Sequence, residues 1–237
     1  MPIMNEKNKK RLLRDVVRLI KKPLTDNGIY YVHDCDNMLK GRAVIFGPSD
    51  SLYRYGAYMF TFDFTVDYPY IPPKVTYMTN DGGTRFHPNL YRNGKVCLSL
   101  LNTWKGEQWT ACQNINSILL NLVTLLHNKP LLNEPGITEK HRDFKTYNSI
   151  IQYKNYQTAI LGVLTYKILP KEFMGFYNII KNHFLINKET IIKELETLSA
   201  SSKNKLLCTT SLYNMELLLN YKDLTKQMKI AFNEYSK

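Results

Sequence analysis

The chain has 237 residues, of which 44% are hydrophobic and 12% aromatic, a composition of globular rather than disordered protein. No stretch approaches the roughly 18 uncharged apolar residues of a membrane span, and Met1–Lys22 is charged throughout, without the apolar centre of a secretory signal; an intracellular protein, cytoplasmic or nuclear, is expected. The formal charge of +12 suggests an acidic partner, but it is concentrated: Lys7, Lys9, Lys10, Arg11, Arg14, Arg18, Lys21 and Lys22 face only Glu6 and Asp15 over the same stretch.

In chain order, Asn5–Lys22 reads as an amphipathic helix. Leu12, Val16 and Leu19, with Leu13, Val17 and Ile20, recur at helical spacing, and the basic residues fill the other face. Pro23 and Thr25–Gly28 stop it. Strands are expected at Tyr30–His33, Lys40–Phe46, Ala57–Val66 and Lys74–Met78. The third alternates, with Tyr58, Phe60, Phe62, Phe64 and Val66 on one face, the period of a half-buried antiparallel strand. Residues 79–109 have no sustained period yet hold Phe86, Val96, Cys97, Leu98, Leu100 and Trp104, which marks a functional loop rather than disorder.

Thr110-Ala111-Cys112-Gln113 fits a capping box opening a helix whose buried stripe is Ile115, Ile118, Leu119, Leu122, Leu125 and Leu126. Helical patterns follow at Ser149–Lys167, Lys171–Lys181 and Lys188–Leu198. Ser199–Lys205 reads as a linker before a last helix using Leu217, Tyr221, Leu224, Met228 and Phe232. Strands together and helices segregated make an α+β fold with an antiparallel meander. The expected division is a core over 1–170, a helical extension over 171–200, and a linker with a terminal amphipathic helix over 201–237.

Four cysteines (Cys35, Cys97, Cys112 and Cys208) are irregularly spaced without a CxxC pair, so no metal site is expected. The segment from Phe86 through His87-Pro88-Asn89 to Gly94, Cys97 and Leu98 resembles the catalytic signature of ubiquitin-conjugating enzymes. Gly47-Pro48 with Tyr53 and Gly56, the run Tyr68-Pro69-Tyr70-Ile71-Pro72-Pro73-Lys74-Val75, and Trp109 resemble other family features in the family's order, over residues 5 to 136. Cys97–Trp104, Asn133–Gly136 and the helices between Ile151 and Leu198 resemble the apollon-type branch, very large proteins that combine conjugating and ligase activity.

The resemblance implies a UBC-like fold and a ubiquitin thioester on Cys97, passed to a substrate lysine with or without a ligase. It implies no cofactor, ATP being consumed upstream by the activating enzyme. A thioester suits the task because sulfur donates poorly to the carbonyl and leaves well as thiolate; its sulfur should be accessible on a loop held by a rigid scaffold. Asn89 is expected to offer its amide either to the oxyanion or to the active-site loop backbone. His87, with Pro88, is expected to be architectural rather than a base. The family's acid near the attacking lysine matches Glu134, whose alternative is a solvated turn residue. Lys10 and Arg14 on the first helix resemble the face for the activating enzyme. Tyr70, Trp109 and Ala111 resemble the surface for RING-type ligases, with alanine at position 111 where the family commonly has proline. Partners are thus ubiquitin, activating enzyme, ligase and substrate, without nucleic acid or membrane. The competing readings are a non-catalytic ubiquitin-binding module of the same fold, which would lack the cysteine, and a nucleic-acid binder, which would need its aromatics exposed.

Overall fold

The computed structural model describes residues 4–201 and 205–235. Helix α1 (Glu6–Lys21) starts at Asn5, whose side chain accepts from the Asn8 amide at 2.8 Å. Only half of its expected stripe is buried. Leu12, Val16 and Leu19 face inward, while Leu13, Val17 and Ile20 are exposed. The buried face is completed by polar groups with partners. Asn8 donates to the Val66 carbonyl at 2.9 Å, and Asp15 accepts from Arg11 and from the Tyr68 hydroxyl.

Strands β1 (Ile29–His33), β2 (Lys40–Phe46), β3 (Ala57–Asp63) and β4 (Lys74–Tyr77) form an antiparallel sheet in chain order. Tyr58, Phe60 and Phe62 are fully buried on one face of β3, as the alternation required. They belong to a single apolar cluster with the stripe of α2 (Ile115–Leu125). The other face is covered as well: Val44, Ala57 and Met59 have no exposure. Residues 171–186 lie over it, with Phe46 stacked on His183 at 3.7 Å and Glu172 in one hollow with Arg42, Thr61 and Asp63. The β3 aromatics Tyr58, Phe60 and Phe62 thus present no stacking surface to a nucleic acid.

Helix α2 begins later than its expected capping box. Asn114 is the cap, accepting from Ser117 N–H, while Thr110–Gln113 is a preceding turn in which the Gln113 side chain accepts from Thr110 N–H. Cys112 is therefore exposed in a turn, outside the helix. After α2 come α3 (Phe144–Lys154), continued as π-helix over Asn155–Gly162, then α4 (Tyr177–Ile186) and α5 (Lys188–Ser201). Asn155 donates to Arg54 O and accepts from Tyr58 O–H, coupling the helix to the sheet.

The end of the chain differs most from expectation. Strands β5 (Leu206–Thr210) and β6 (Met215–Leu219) form a hairpin that contacts α3, and α6 (Tyr221–Tyr235) packs on α5. Leu217, expected in the last helix, is in β6.

Candidate active site

The segment carrying His87, Pro88, Asn89 and Cys97 folds back on itself at Gly94. This residue has φ of +85°, and a Cβ there would meet Thr76 Cγ2 at 2.8 Å and Tyr77 O at 3.0 Å. Glycine is required for both the left-handed backbone and the close approach. The Tyr77 amide donates to Gly94 O at 2.8 Å, which docks the turn on β4. The two limbs then meet in a reciprocal pair: Cys97 N–H donates to Asn89 O at 2.9 Å, and Asn89 Nδ2 donates to Cys97 O at 2.7 Å. Downstream, the Thr103 hydroxyl accepts from Leu98 N–H and donates to Val96 O, each at 2.9 Å.

The limb preceding the motif is anchored by buried tyrosines, Tyr53 donating to Phe86 O at 2.7 Å and Tyr147 to Arg85 O at 2.8 Å. Arg85 in turn donates to His87 O and Pro88 O. His87 is fully buried, and its Nδ1 accepts from Asn89 N–H at 3.0 Å. Burial first, then the neighbouring His127 and Arg85, hold its pKa well below the usual histidine range. It is a neutral acceptor within the turn, with Pro88 buried beside it.

Cys97 corrects an expectation. It is 1% exposed, whereas Cys35 and Cys112 are the exposed cysteines. The Asn89 amide and the Thr103 hydroxyl draw residues 96–98 into the body of the molecule. Val96 and Leu98, on either side of it, are buried as well.

Glu134 is half-buried, and its carboxylate accepts from the Tyr213 hydroxyl. Its loop is set by His127, whose Nε2 pairs with Asn133 Oδ1 at 2.9 Å and whose ring lies 6.0 Å from that of His87. Trp109 also departs from expectation. It is buried, donating Nε1–H to Pro69 O at 2.7 Å, and cannot itself meet a partner. Instead it joins the two loops around Tyr70, which is 59% exposed, and Ala111, whose carbonyl accepts from Arg11 at 2.6 Å. Lys10 and Arg14 are exposed on α1.

Sequence reading missed Arg85, Thr103, His127 and Tyr213. Arg85 and Thr103 flank the motif closely enough to be noticed; nothing in the sequence pointed to Tyr213. Among the described residues no cluster of three or more His, Cys, Asp or Glu could hold a metal ion, and no helix is long and apolar enough to cross a membrane.

The family profile "Ubiquitin-conjugating enzyme" matches residues 11–157. Ubiquitin-conjugating enzyme E2 Z of Xenopus tropicalis is 38% identical over 180 residues, spanning 71% of this chain and 57% of that protein. The protein of the same name from Homo sapiens is 37% identical over 180 residues, 71% of this chain and 50% of its own length. Probable ubiquitin-conjugating enzyme protein 17 of Caenorhabditis elegans is 31% identical over 205 residues, 78% of this chain and 28% of its own. The chain spans about half the length of the E2 Z relatives it matches. Since the matched stretch contains the whole sheet, helix α2 and the loop that pairs Asn89 with Cys97, the chain belongs to the ubiquitin-conjugating enzyme family.

Proposed function

We propose that the chain accepts ubiquitin as a thioester on Cys97 and transfers it to a substrate lysine, with or without a ligase. The observation that carries this reading is the reciprocal Asn89–Cys97 pair, which holds a cysteine at a defined place against an amide side chain. In the transfer, an unprotonated lysine Nζ attacks the thioester carbonyl carbon. A C–N bond forms, the C–S bond breaks, and the Cys97 thiolate leaves with the electron pair. A lysine ammonium, with an unperturbed pKa of about 10.4, gives up one proton before attack. The nitrogen gives up a second as the amide forms, and the thiolate takes up one; one proton is released overall. Glu134 is the group assigned to orient the amine and receive its proton. Because Cys97 is covered, loading includes a local opening around it.

The activating enzyme, which consumes ATP, is assigned to the exposed basic face of α1 with Lys10 and Arg14. A RING-type ligase is assigned to Tyr70 and Ala111, with Trp109 stiffening the loops beneath. Neither cofactor nor metal enters the chemistry, and neither nucleic acid nor membrane is a partner. Residues 1–170 are assigned as the catalytic core, 171–200 as a helical extension and 201–237 as the C-terminal segment, in an intracellular setting. The motifs Cys97–Trp104 and Asn133–Gly136 support a relation to the apollon-type branch.

The test is to mix the chain with activating enzyme, ubiquitin and ATP and run a gel without reductant. The expected product is a band heavier by one ubiquitin, removed by thiol and absent in Cys97→Ala; Cys97→Lys should trap a thiol-resistant adduct. No thiol-sensitive band with several activating enzymes would favour the non-catalytic ubiquitin-binding module instead.

A further inference from the structure

The β5–β6 hairpin places its tip against the loops of the candidate site. At Leu212 the backbone N–H donates to Asp143 Oδ2 at 2.8 Å, and at the base of β6 Met215 Sδ accepts from Arg85 N–H at 3.4 Å. Between these anchors Tyr213 and Asn214 adopt left-handed backbone, with φ of 65° and 47°. A non-glycine residue there is strained, and two in succession persist only where surrounding contacts hold them.

The contacts made by Tyr213 are specific. Its hydroxyl donates to Glu134 Oε2, and its carbonyl accepts from Arg92 Nη2 at 2.5 Å. Its ring lies 5.0 Å from the Arg85 guanidinium, which also sits 3.3 Å over Tyr91, and 6.0 Å from the ring of Tyr147. Arg92 and Tyr91 belong to the limb between Asn89 and Cys97, and Glu134 to the loop after α2. One residue therefore bridges the limb leading to Cys97 and the carboxylate assigned to the attacking amine. Burial first, then the hydrogen bond to Glu134, raise the phenol pKa far above its ordinary value, so the hydroxyl stays a donor at any working pH.

We infer that Tyr213 is a positioning residue for lysine transfer, holding the Glu134 carboxylate by one oxygen so that the other is presented to the incoming amine. The inference rests on the transfer chemistry proposed above. It also gives the C-terminal hairpin a role at the site, as the element that carries this hydroxyl. The carboxylate keeps both oxygens, and Tyr213 neither gains nor loses a proton in the reaction; it restricts the rotamers of Glu134. A hydrogen bond to a charged group is worth enough to make that restriction measurable.

The experiment uses the full chain loaded with ubiquitin, with free lysine as the acceptor. Tyr213→Phe should load within about twofold of the unaltered chain and lower the kcat of discharge to lysine by roughly 5- to 30-fold, with the KM for lysine changed less than about threefold. Added to Glu134→Ala it should cause no further loss, because the hydroxyl acts only through that carboxylate. Discharge of the Tyr213→Phe thioester at the unaltered rate, while Glu134→Ala is slow, overturns the inference and leaves the proposed function standing. Losses that multiply in the double variant also overturn it, since they mean a general effect on the hairpin. A chain that forms no thioester at all fails the function first and takes the inference with it.

Discussion

Replacing Asn89 by alanine separates the two parts open to that residue. In the structure its side-chain Nδ2 is committed to Cys97 O at 2.7 Å, and both residues are buried. Truncation leaves the Cys97 carbonyl without that donor, out of reach of water. An unsatisfied buried acceptor costs about 1–3 kcal/mol. In a chain of this size that corresponds to a fall in Tm of roughly 2–12 °C. The same loss frees the limb that carries Cys97, so loading by the activating enzyme and discharge to lysine should fall together. The assay is a thermal melt beside single-turnover loading and discharge. An unchanged Tm with intact loading and a discharge rate lower by roughly 100- to 1,000-fold would refute this reasoning and return Asn89 to the oxyanion.

Two further predictions concern the frame around the site. Gly94→Ala must place a methyl group 2.8 Å from Thr76 Cγ2 in a left-handed backbone, so it should destabilise the chain by about 1–3 kcal/mol from backbone strain alone and reduce loading; an unaltered melt would show that the turn tolerates a side chain. His183 stacks on Phe46, and burial pushes its pKa down to about 4. The unfolded chain takes up this proton near the ordinary value of 6.5 while the folded chain does not until about pH 4, so stability should fall as pH drops across that interval. His183→Phe keeps the stack and removes the titration. Its denaturation midpoint should depend less on pH between 6.5 and 4, and an identical slope would exclude His183 as a source.

Much of the site could be read from local spacing. His87-Pro88-Asn89, Gly94 and Cys97 lie within eleven residues on two limbs of one turn, where side-chain chemistry and backbone geometry are set by neighbours in the chain. The alternation of β3 and the stripe of α2 were equally legible, because a period of 2 or 3.6 residues records which face is inside. Other features were decided by residues far apart in sequence. Trp109 turns inward because the Pro69 carbonyl, 40 residues earlier, takes its N–H. Leu13, Val17 and Ile20 have the right spacing for burial, yet they stay 44%, 46% and 69% exposed.

The terminal hairpin shows the same limit from the other side. Leu217-Leu218-Leu219 suits a helix as well as a strand; pairing with Leu206–Cys208 and contact with α3 make it β6. The bond between Tyr213 and Glu134 spans 79 residues and follows no repeat or motif. A hydroxyl and a carboxylate at such a separation meet only when the packing of several helices has already brought their loops together, and the chain between them carries no periodic trace of that meeting.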